Sequence, residues 1–376
     1  MKPLIKWTGG KYREIKYFQE YIPRNFERYI EPFFGGGGVF FHLEPQKAEV
    51  NDISKDLMQF YLYIQSENKI FKEFIYSISS FWDNLNVKEL QQYIYPFFKN
   101  YINIDIKNIN IRVELLEKYI ISPIGQEEEL LKYVIDSIIN KIIRLKAIYK
   151  KENRVFSLEE LEDHLETSIR SGIYLFFRKV LNSLKDDYNE LKIAVWWFIR
   201  ELCYGSMFRY DKKGNFNIPY GGINYNKKKL LPKADYIFSP RTISLFKKTK
   251  FHNTDFEEFL NNIYLNENDF IFLDPPYDSN FKEYDKNSFT QKDHKRLANL
   301  LKNIKKTKWL LVIKNTPFIL SLYDESGIYI DSFRKKYNYN VRGRNVRDTE
   351  HLIITNYNPY NITTIPIKNE RQYSLY

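Results

Sequence analysis

Cysteine is all but missing from this 376-residue chain. Cys203 stands alone, so no internal disulfide can form and no cysteine-based metal site is on offer, which points to a reducing cytoplasm. The five histidines are scattered without ligand spacing, and no metal is expected. No apolar run is long enough to cross a bilayer, because the greasiest stretches are broken by Lys or Arg, and Met1-Lys-Pro-Leu4 does not open a signal peptide. Nor is there a fixed-period repeat. Methionine is scarce, so the isoleucine-rich stripes of the chain's interior read as core.

Charge, by contrast, is plentiful. Lys and Arg number 58 against 47 Asp and Glu, a formal net charge of +11. Such an excess suits a polyanionic partner, although a composition rich in Lys, Ile and Asn also arises from AT-rich coding. The length allows a sizeable core and two domains.

The opening of the chain alternates short strands and helices. Residues 28–32 read as a strand, Gly35 to Gly38 break it, Val39 to Leu43 open a helix, and Ala48 to Ile53 form the next strand around Asn51-Asp52. That is the start of a doubly wound nucleotide-binding sheet. From Leu57 to about residue 203 the period becomes helical, with Leu130, Val134, Ile138 and Ile142 on one face of Glu127 to Lys150. Ser157-Leu-Glu-Glu160 is a capping box ahead of a further helix. Strand character returns at Lys250–Asp255, Asp269–Leu273, Trp309–Lys314, Tyr329–Phe333 and His351–Asn356. A sheet interrupted after its second strand and resumed later implies one discontinuous domain, 1–55 with 236–376. The mainly helical insertion at 56–235 carries an elaboration over about 84–170 and a β-hairpin near 209–222.

The chemistry concentrates at Asn268-Asp-Phe-Ile-Phe-Leu-Asp-Pro-Pro-Tyr277, where an apolar strand ends in an acid, two prolines and an aromatic. Pro275 and Pro276 cannot continue a ladder, so the backbone past the strand is stiff. Asp274 and the Pro275 carbonyl then present two fixed acceptors side by side, suited to an amino group on a planar ring, and Tyr277 offers a face for stacking. A plain strand followed by a proline turn is the bland reading. Asn217-Ile-Pro-Tyr220 is a near-identical string, but it follows the polar turn Lys212 to Phe216, whereas Asp274 follows Phe270-Ile-Phe-Leu273. Phe33-Phe-Gly-Gly-Gly-Gly-Val39 adds a turn without Cβ atoms ahead of a helix N-terminus, a feature many nucleotide enzymes share.

Taken in order, Lys6-Trp-Thr-Gly-Gly-Lys11, Glu31-Pro-Phe-Phe-Gly-Gly-Gly37, Asn51-Asp-Ile-Ser54, Arg209-Tyr-Asp-Lys-Lys-Gly-Asn-Phe-Asn-Ile-Pro-Tyr-Gly221 and Asp274-Pro-Pro-Tyr277 closely resemble the Dam-type adenine-N6 DNA methyltransferases. The resemblance covers residues 1–62, 196–222 and 250–357, including Asn287-Ser-Phe-Thr290, and leaves most of the helical insertion uncovered. It implies a Rossmann-like seven-stranded, mostly parallel α/β sheet that binds S-adenosylmethionine, with no metal, and an inserted helical target-recognition domain.

The cofactor set implied is Trp7, Gly9, Gly10, Lys11, Glu31, Phe33, Gly35, Gly37, Asp52, Ile53, Asp255 and Asp274. In it Trp7 stacks or covers, Lys11 reaches the methionine carboxylate, Asp52 accepts from ribose hydroxyls, and Glu31 orients the glycine turn. Asp255 is similar to the acid that accepts from the cofactor's adenine amine, and a helix N-cap ahead of Phe256-Glu-Glu258 is its other reading. Asp274, Pro275, Pro276 and Tyr277 form the catalytic set, gripping the amine of an adenine flipped out of duplex DNA.

Arg209 matches the guanine-reading position, with Asn217 and Pro219 of the same hairpin. Tyr204 matches the place of an intercalating wedge, although Gly205 departs from the Asn of the pattern. Basic runs at Lys227–Lys229 and Arg334–Lys336, and Arg342, Arg344 and Arg347 among Tyr337 and Tyr339, suit phosphate tracking. A GATC-like site is expected, as is a monomer acting in a bacterial or phage-infected cell, alone or within a restriction-modification system. An amino-cytosine or RNA methylase, a nicotinamide oxidoreductase and a non-catalytic DNA-binding relative are the alternatives.

Overall fold

The computed structural model describes residues 1–105, 109, 111–184, 189–277, 289–336 and 348–361. The chain divides into two compact units, Met1–Leu62 with Pro240–Tyr376, and Tyr63–Ser239. The first stretch carries α1 (Ile15–Phe18), β1 (Arg28–Glu31), α2 (Gly38–Leu43), β2 (Ala48–Asn51) and α3 (Lys55–Gln65), which runs through the junction. The second unit holds α4 (Lys69–Asp83), α5 (Val87–Lys99), α6 (Val113–Glu117), α7 (Glu127–Glu152), α8 (Leu158–Ser183), α9 (Glu190–Leu202), α10 (Ile223–Asn226) and α11 (Leu231–Ile237). The first unit then resumes with α12 (Pro240–Lys247), β3 (Thr249–His252), α13 (Phe256–Asn262), β4 (Asp269–Leu273), α14 (Gln291–Asn303), β5 (Lys308–Lys314), α15 (Pro317–Tyr323), β6 (Tyr329–Lys336) and β7 (Asp348–Thr355).

Seven strands form one sheet in the order β3-β2-β1-β4-β5-β7-β6. The first five are parallel neighbours, while β7 runs antiparallel to both β5 and β6. This is the Rossmann-like α/β sheet expected from the sequence. Its strand order turns back on itself at β1, which has β2 on one side and β4 on the other. Ligands in such sheets bind in the crevice beyond the carboxyl ends of the strands at that switch point. Glu31 ends β1 and Leu273 ends β4, so the glycine turn and the Asp-Pro-Pro-Tyr corner both begin there.

Continuous apolar strands explain why both faces are covered. Every residue of β4 is buried, and Ile271 and Leu273 join Trp309, Leu311, Phe259 and Leu297 in one core beneath α13, α14 and α15. On the other face Phe18 stacks on Phe272, with ring centroids 5.6 Å apart. The buried acid at the head of β4, Asp269, is neutralised by Arg28, whose guanidinium donates to it at 2.6 and 3.1 Å and to Glu49 at 2.7 Å.

In the second unit α7 and α8 cross at close quarters, because Gly172 brings its α-carbon against the α7 backbone; a Cβ there would sit 2.5 Å from Val134 Cα. The capping box at Ser157 is formed in full. Nearly every residue of α9 is buried, packed between α4 and α8. The junctions fall later than the sequence suggests. α11 packs on α4, where Tyr76 donates to Asp235 at 2.9 Å and stacks on Phe238. Strand ends shift too: β3 stops at His252, and Asp255 caps α13.

Candidate active site

The N-terminal segment reaches the sheet through the glycine run. Gly35 (φ +49°) and Gly36 lie under the Trp7 side chain, and a Cβ on either would meet it at 2.8 or 3.0 Å. Gly37 (φ +65°) turns the chain into α2, and Gly38 abuts the Tyr12 backbone nitrogen, 2.8 Å from where its Cβ would be. The space left by these missing side chains is therefore filled by protein. What the run achieves is to bring Trp7, Lys11 and Tyr12 against the turn that follows β1.

Lys11 is the centre of the arrangement. Its buried ammonium donates to Asp274 Oδ1 at 2.5 Å, to the Tyr277 hydroxyl at 2.7 Å and to the Gly9 carbonyl at 3.3 Å. Three hydrogens thus tie the acidic corner, the aromatic and the N-terminal turn to one atom. Pro275 is buried and Pro276 exposed, and Tyr277 packs part-buried against the sheet core.

Two further acids, Asp52 and Glu31, stand at the ends of β2 and β1. Asp52, just beyond β2, accepts from the Gly35 amide and the Ser54 amide, each at 2.8 Å. Glu31 is buried at the end of β1 and accepts from the Tyr29 hydroxyl at 2.8 Å. Burial pushes the Glu31 carboxyl well above the ordinary range, and the Asp274 and Asp52 charges push it further. Asp52 is raised as well, by burial. Burial lifts Asp274 to about 6 even though Lys11 pulls it down.

The other expected cofactor residues have differing surroundings. Phe33 packs on Phe256 and Phe289, and Ile53 is exposed. Asp255 accepts from the Glu257 amide at 2.9 Å and from Arg296 at 2.7 Å, the helix-cap reading of that residue. Two residues of the cluster, His351 and Glu14, carry no role that the sequence alone suggests. The Tyr277 hydroxyl meets His351 Nε2 at 3.1 Å, and buried Glu14 accepts from Lys335. Strand alternation puts His351 on the inner face of β7, but its partner lies 74 residues away, beyond what local spacing reveals.

In the second unit the Arg209-to-Gly221 segment folds back on itself. Tyr210 bridges Phe216, Asp211 accepts from the Lys213 and Asn215 amides, and Arg209 donates to Asn217 Oδ1 at 2.8 Å and to its carbonyl at 3.2 Å. The returning strand is fastened to α8. Asn182 exchanges two bonds with Phe216, and Tyr174 and Arg178 both donate to the Ile218 carbonyl. Ile218 and Tyr220 are buried, so Asn217-Ile-Pro-Tyr220 is anchored in the second unit, and Pro219 supplies a carbonyl to the Tyr204 amide at 2.9 Å. Tyr204 itself is 48% exposed. Buried Arg200 holds the turn beneath it through the Ser206 and Met207 carbonyls.

The basic runs divide. Lys335 is engaged with Glu14, Lys228 with Glu201 and Lys229 with the Asp83 carbonyl at 2.8 Å, while residues 337–347, with Arg342, Arg344 and Arg347, lie outside the described residues, as do Asn287 and Ser288.

The D12 class N6 adenine-specific DNA methyltransferase family matches residues 7–122 and 127–338. This chain belongs to that family. It is an adenine-specific DNA methyltransferase. The Type II methyltransferase M.CviBI of Paramecium bursaria Chlorella virus NC1A is 28% identical over 95% of this chain and 100% of its own. M.MjaIII of Methanocaldococcus jannaschii, also a Type II methyltransferase, is 25% identical over 95% and 99%. The DNA adenine methylase of Vibrio cholerae is 22% identical over 92% and 94%.

Proposed function

We propose that this chain transfers the methyl group of S-adenosylmethionine to N6 of an adenine everted from duplex DNA. The observation that carries the reading is the joint grip of Lys11 on Asp274 and Tyr277 at the carboxyl end of β4.

The residues present fit the donor. Asp274 is paired with Lys11 while the Asp274 and Asp52 charges both bear on buried Glu31, so the corner favours a cationic ligand that relieves this repulsion. Asp52 would hold ribose hydroxyls beside the Gly35 turn, Trp7 would cover the donor, and Lys11 would hold its carboxylate in exchange for the weakest of its present contacts, that to Gly9. Bound there, S-adenosylmethionine supplies a methyl group on a positively charged sulfur.

The chain's own residues act on the target amine. Its lone pair is delocalised into the purine ring, which makes N6 a poor nucleophile. Asp274 and the Pro275 carbonyl accept its two hydrogens, favour a pyramidal nitrogen and stabilise the positive charge that grows on it as the N–C bond forms and the C–S bond breaks. One proton then leaves the nitrogen by way of the Asp274 carboxylate. Tyr277 supplies the face against which the everted base rests.

The Tyr63–Ser239 unit serves as the target-recognition domain. Arg209, its guanidinium oriented by Asn217, reads a guanine of a GATC-like site, and exposed Tyr204 enters the stack. Relatives named as Type II methyltransferases support a place in a restriction-modification system. The chain works as a monomer in the cytoplasm. Purified protein, radiolabelled S-adenosylmethionine and duplex DNA test the reading, with the modified bases located by sequencing. N6-methyladenine at one short site is the expected product; N4-methylcytosine, or methylation of RNA alone, would overturn it. Asp274→Ala should lower turnover by at least about 100-fold, as loss of a main electrostatic group does, while DNA binding persists.

A further inference from the structure

The histidine of β7 has no place in the scheme above, yet it touches the aromatic on which that scheme relies. His351 is fully buried, its ring stacks on Phe333 at 5.3 Å and 16°, and the same ring lies 5.5 Å from that of Tyr277. Its Nε2 stands 3.1 Å from the Tyr277 hydroxyl. That hydroxyl accepts from Lys11 at 2.7 Å, and its own hydrogen can be given to a ring nitrogen that carries none. Only an imidazole carrying its proton on Nδ1 can receive it.

We infer that His351 is a positioning residue for the methyl-transfer site: in its Nδ1–H tautomer it accepts the Tyr277 hydroxyl hydrogen and locks the ring that supports the target base. The inference rests on the functional reading given above. A chain of donors runs from the Lys11 ammonium to the tyrosine hydroxyl to the imidazole, joining the N-terminal turn, the β4 corner and β7. Rotation of the Tyr277 ring away from the base then breaks two hydrogen bonds and a packed aromatic contact. Without His351 one end of that restraint is gone, and Lys11 is left to hold the hydroxyl while also holding Asp274.

The surroundings keep the ring neutral. Burial lowers its pKa to about 4, with Lys11 and Lys335 acting in the same direction and buried Glu14 and the Thr349 backbone opposing them. Of the charged and titratable groups that bear on it, Lys11 and Glu14 come from the N-terminal segment, Tyr277 from the β4 corner and Lys335 from β6.

The test compares His351→Phe, which keeps the stacking but loses the acceptor, with His351→Gln, whose amide oxygen can replace Nε2. Each is made in the full-length protein, alone and together with Tyr277→Phe. Under single-turnover conditions on duplex DNA, His351→Phe should slow methyl transfer about five- to tenfold, the worth of one lost hydrogen bond, with an unchanged KM for S-adenosylmethionine. His351→Gln should recover the rate to within about twofold, and in the Tyr277→Phe background His351→Phe should cost nothing further beyond about twofold. An equal loss in both backgrounds, or no loss in either, overturns the inference.

Nitrogen-15 spectra of histidine-labelled protein at pH 7.5 give a reading that does not depend on activity. A neutral Nδ1–H ring whose Nε2 signal moves on Tyr277→Phe supports the inference, and an Nε2–H or charged ring refutes it. Wild-type protein that leaves duplex adenine unmethylated would sink the functional reading instead, while the spectra still decide the tautomer and the bond.

Discussion

Asp274 shows how far single residues could be read from the sequence, and where such reading stopped. Its place at the end of a buried strand was legible because Phe270-Ile-Phe-Leu273 is apolar without interruption and two prolines follow. Its electrical state was not, since that depends on burial and on Lys11, 263 residues away. The consequence is a pH dependence of defined sign. In the mechanism we propose the carboxylate form grips the amine, and burial lifts Asp274 to about 6, so kcat/KM should be level above pH 7 and fall about tenfold per unit below the midpoint. Because Lys11 lowers this pKa, Lys11→Met should move the midpoint upward, whatever else it does to the rate. A profile flat from pH 5 to 8 at saturating donor would show that the proton on Asp274 is irrelevant to transfer.

Elements were legible where one period ruled and illegible where a distant segment decided their use. β4, the helical face of α7 and the capping box of α8 all follow from local pattern, and the sequence placed each of them. The end of β3 did not, because Asn253 and Thr254 leave the ladder to bond Asp52 and Asn51, and Asp255 turns to cap α13. The glycine run is the sharpest case. Read locally it is an open turn awaiting a ligand; in the fold Trp7 and Tyr12 occupy the space, and the run serves to seat Lys11. Gly38→Ala tests that role, since the new Cβ would lie 2.8 Å from the Tyr12 nitrogen and 3.4 Å from that of Lys11, both backbone atoms of one segment. Overpacking of this kind costs about 1 to 3 kcal/mol, so the melting temperature should drop and methyl transfer should fall with it. Unchanged melting and rate would mean that the N-terminal segment is not held by this contact.

At the scale of the whole molecule the question is which of the 58 basic residues are available to phosphate. The excess of +11 is visible in composition, but composition cannot tell an exposed lysine from one already committed. Lys335 and Lys228 belong to the second kind, for each answers a buried acid, Glu14 or Glu201. Lys212 and Lys213 lie exposed at the tip of the hairpin. Each lysine that meets a phosphate releases counterions, and binding then weakens linearly in log affinity against log salt with a slope near −0.9 per contact. Replacing Lys212 and Lys213 together by alanine should therefore flatten the slope by up to about two and weaken binding to target and non-target duplexes alike. Lys335→Met should leave the slope where it was and destabilise the fold instead by about 1 to 3 kcal/mol, because Glu14 is left buried with one oxygen already lacking a partner among the described residues. Salt titrations of duplex binding and thermal melts separate the two effects. Equal slopes for wild type and the hairpin variant would place the DNA elsewhere on the protein, and a flatter slope for Lys335→Met would assign that lysine to phosphate after all.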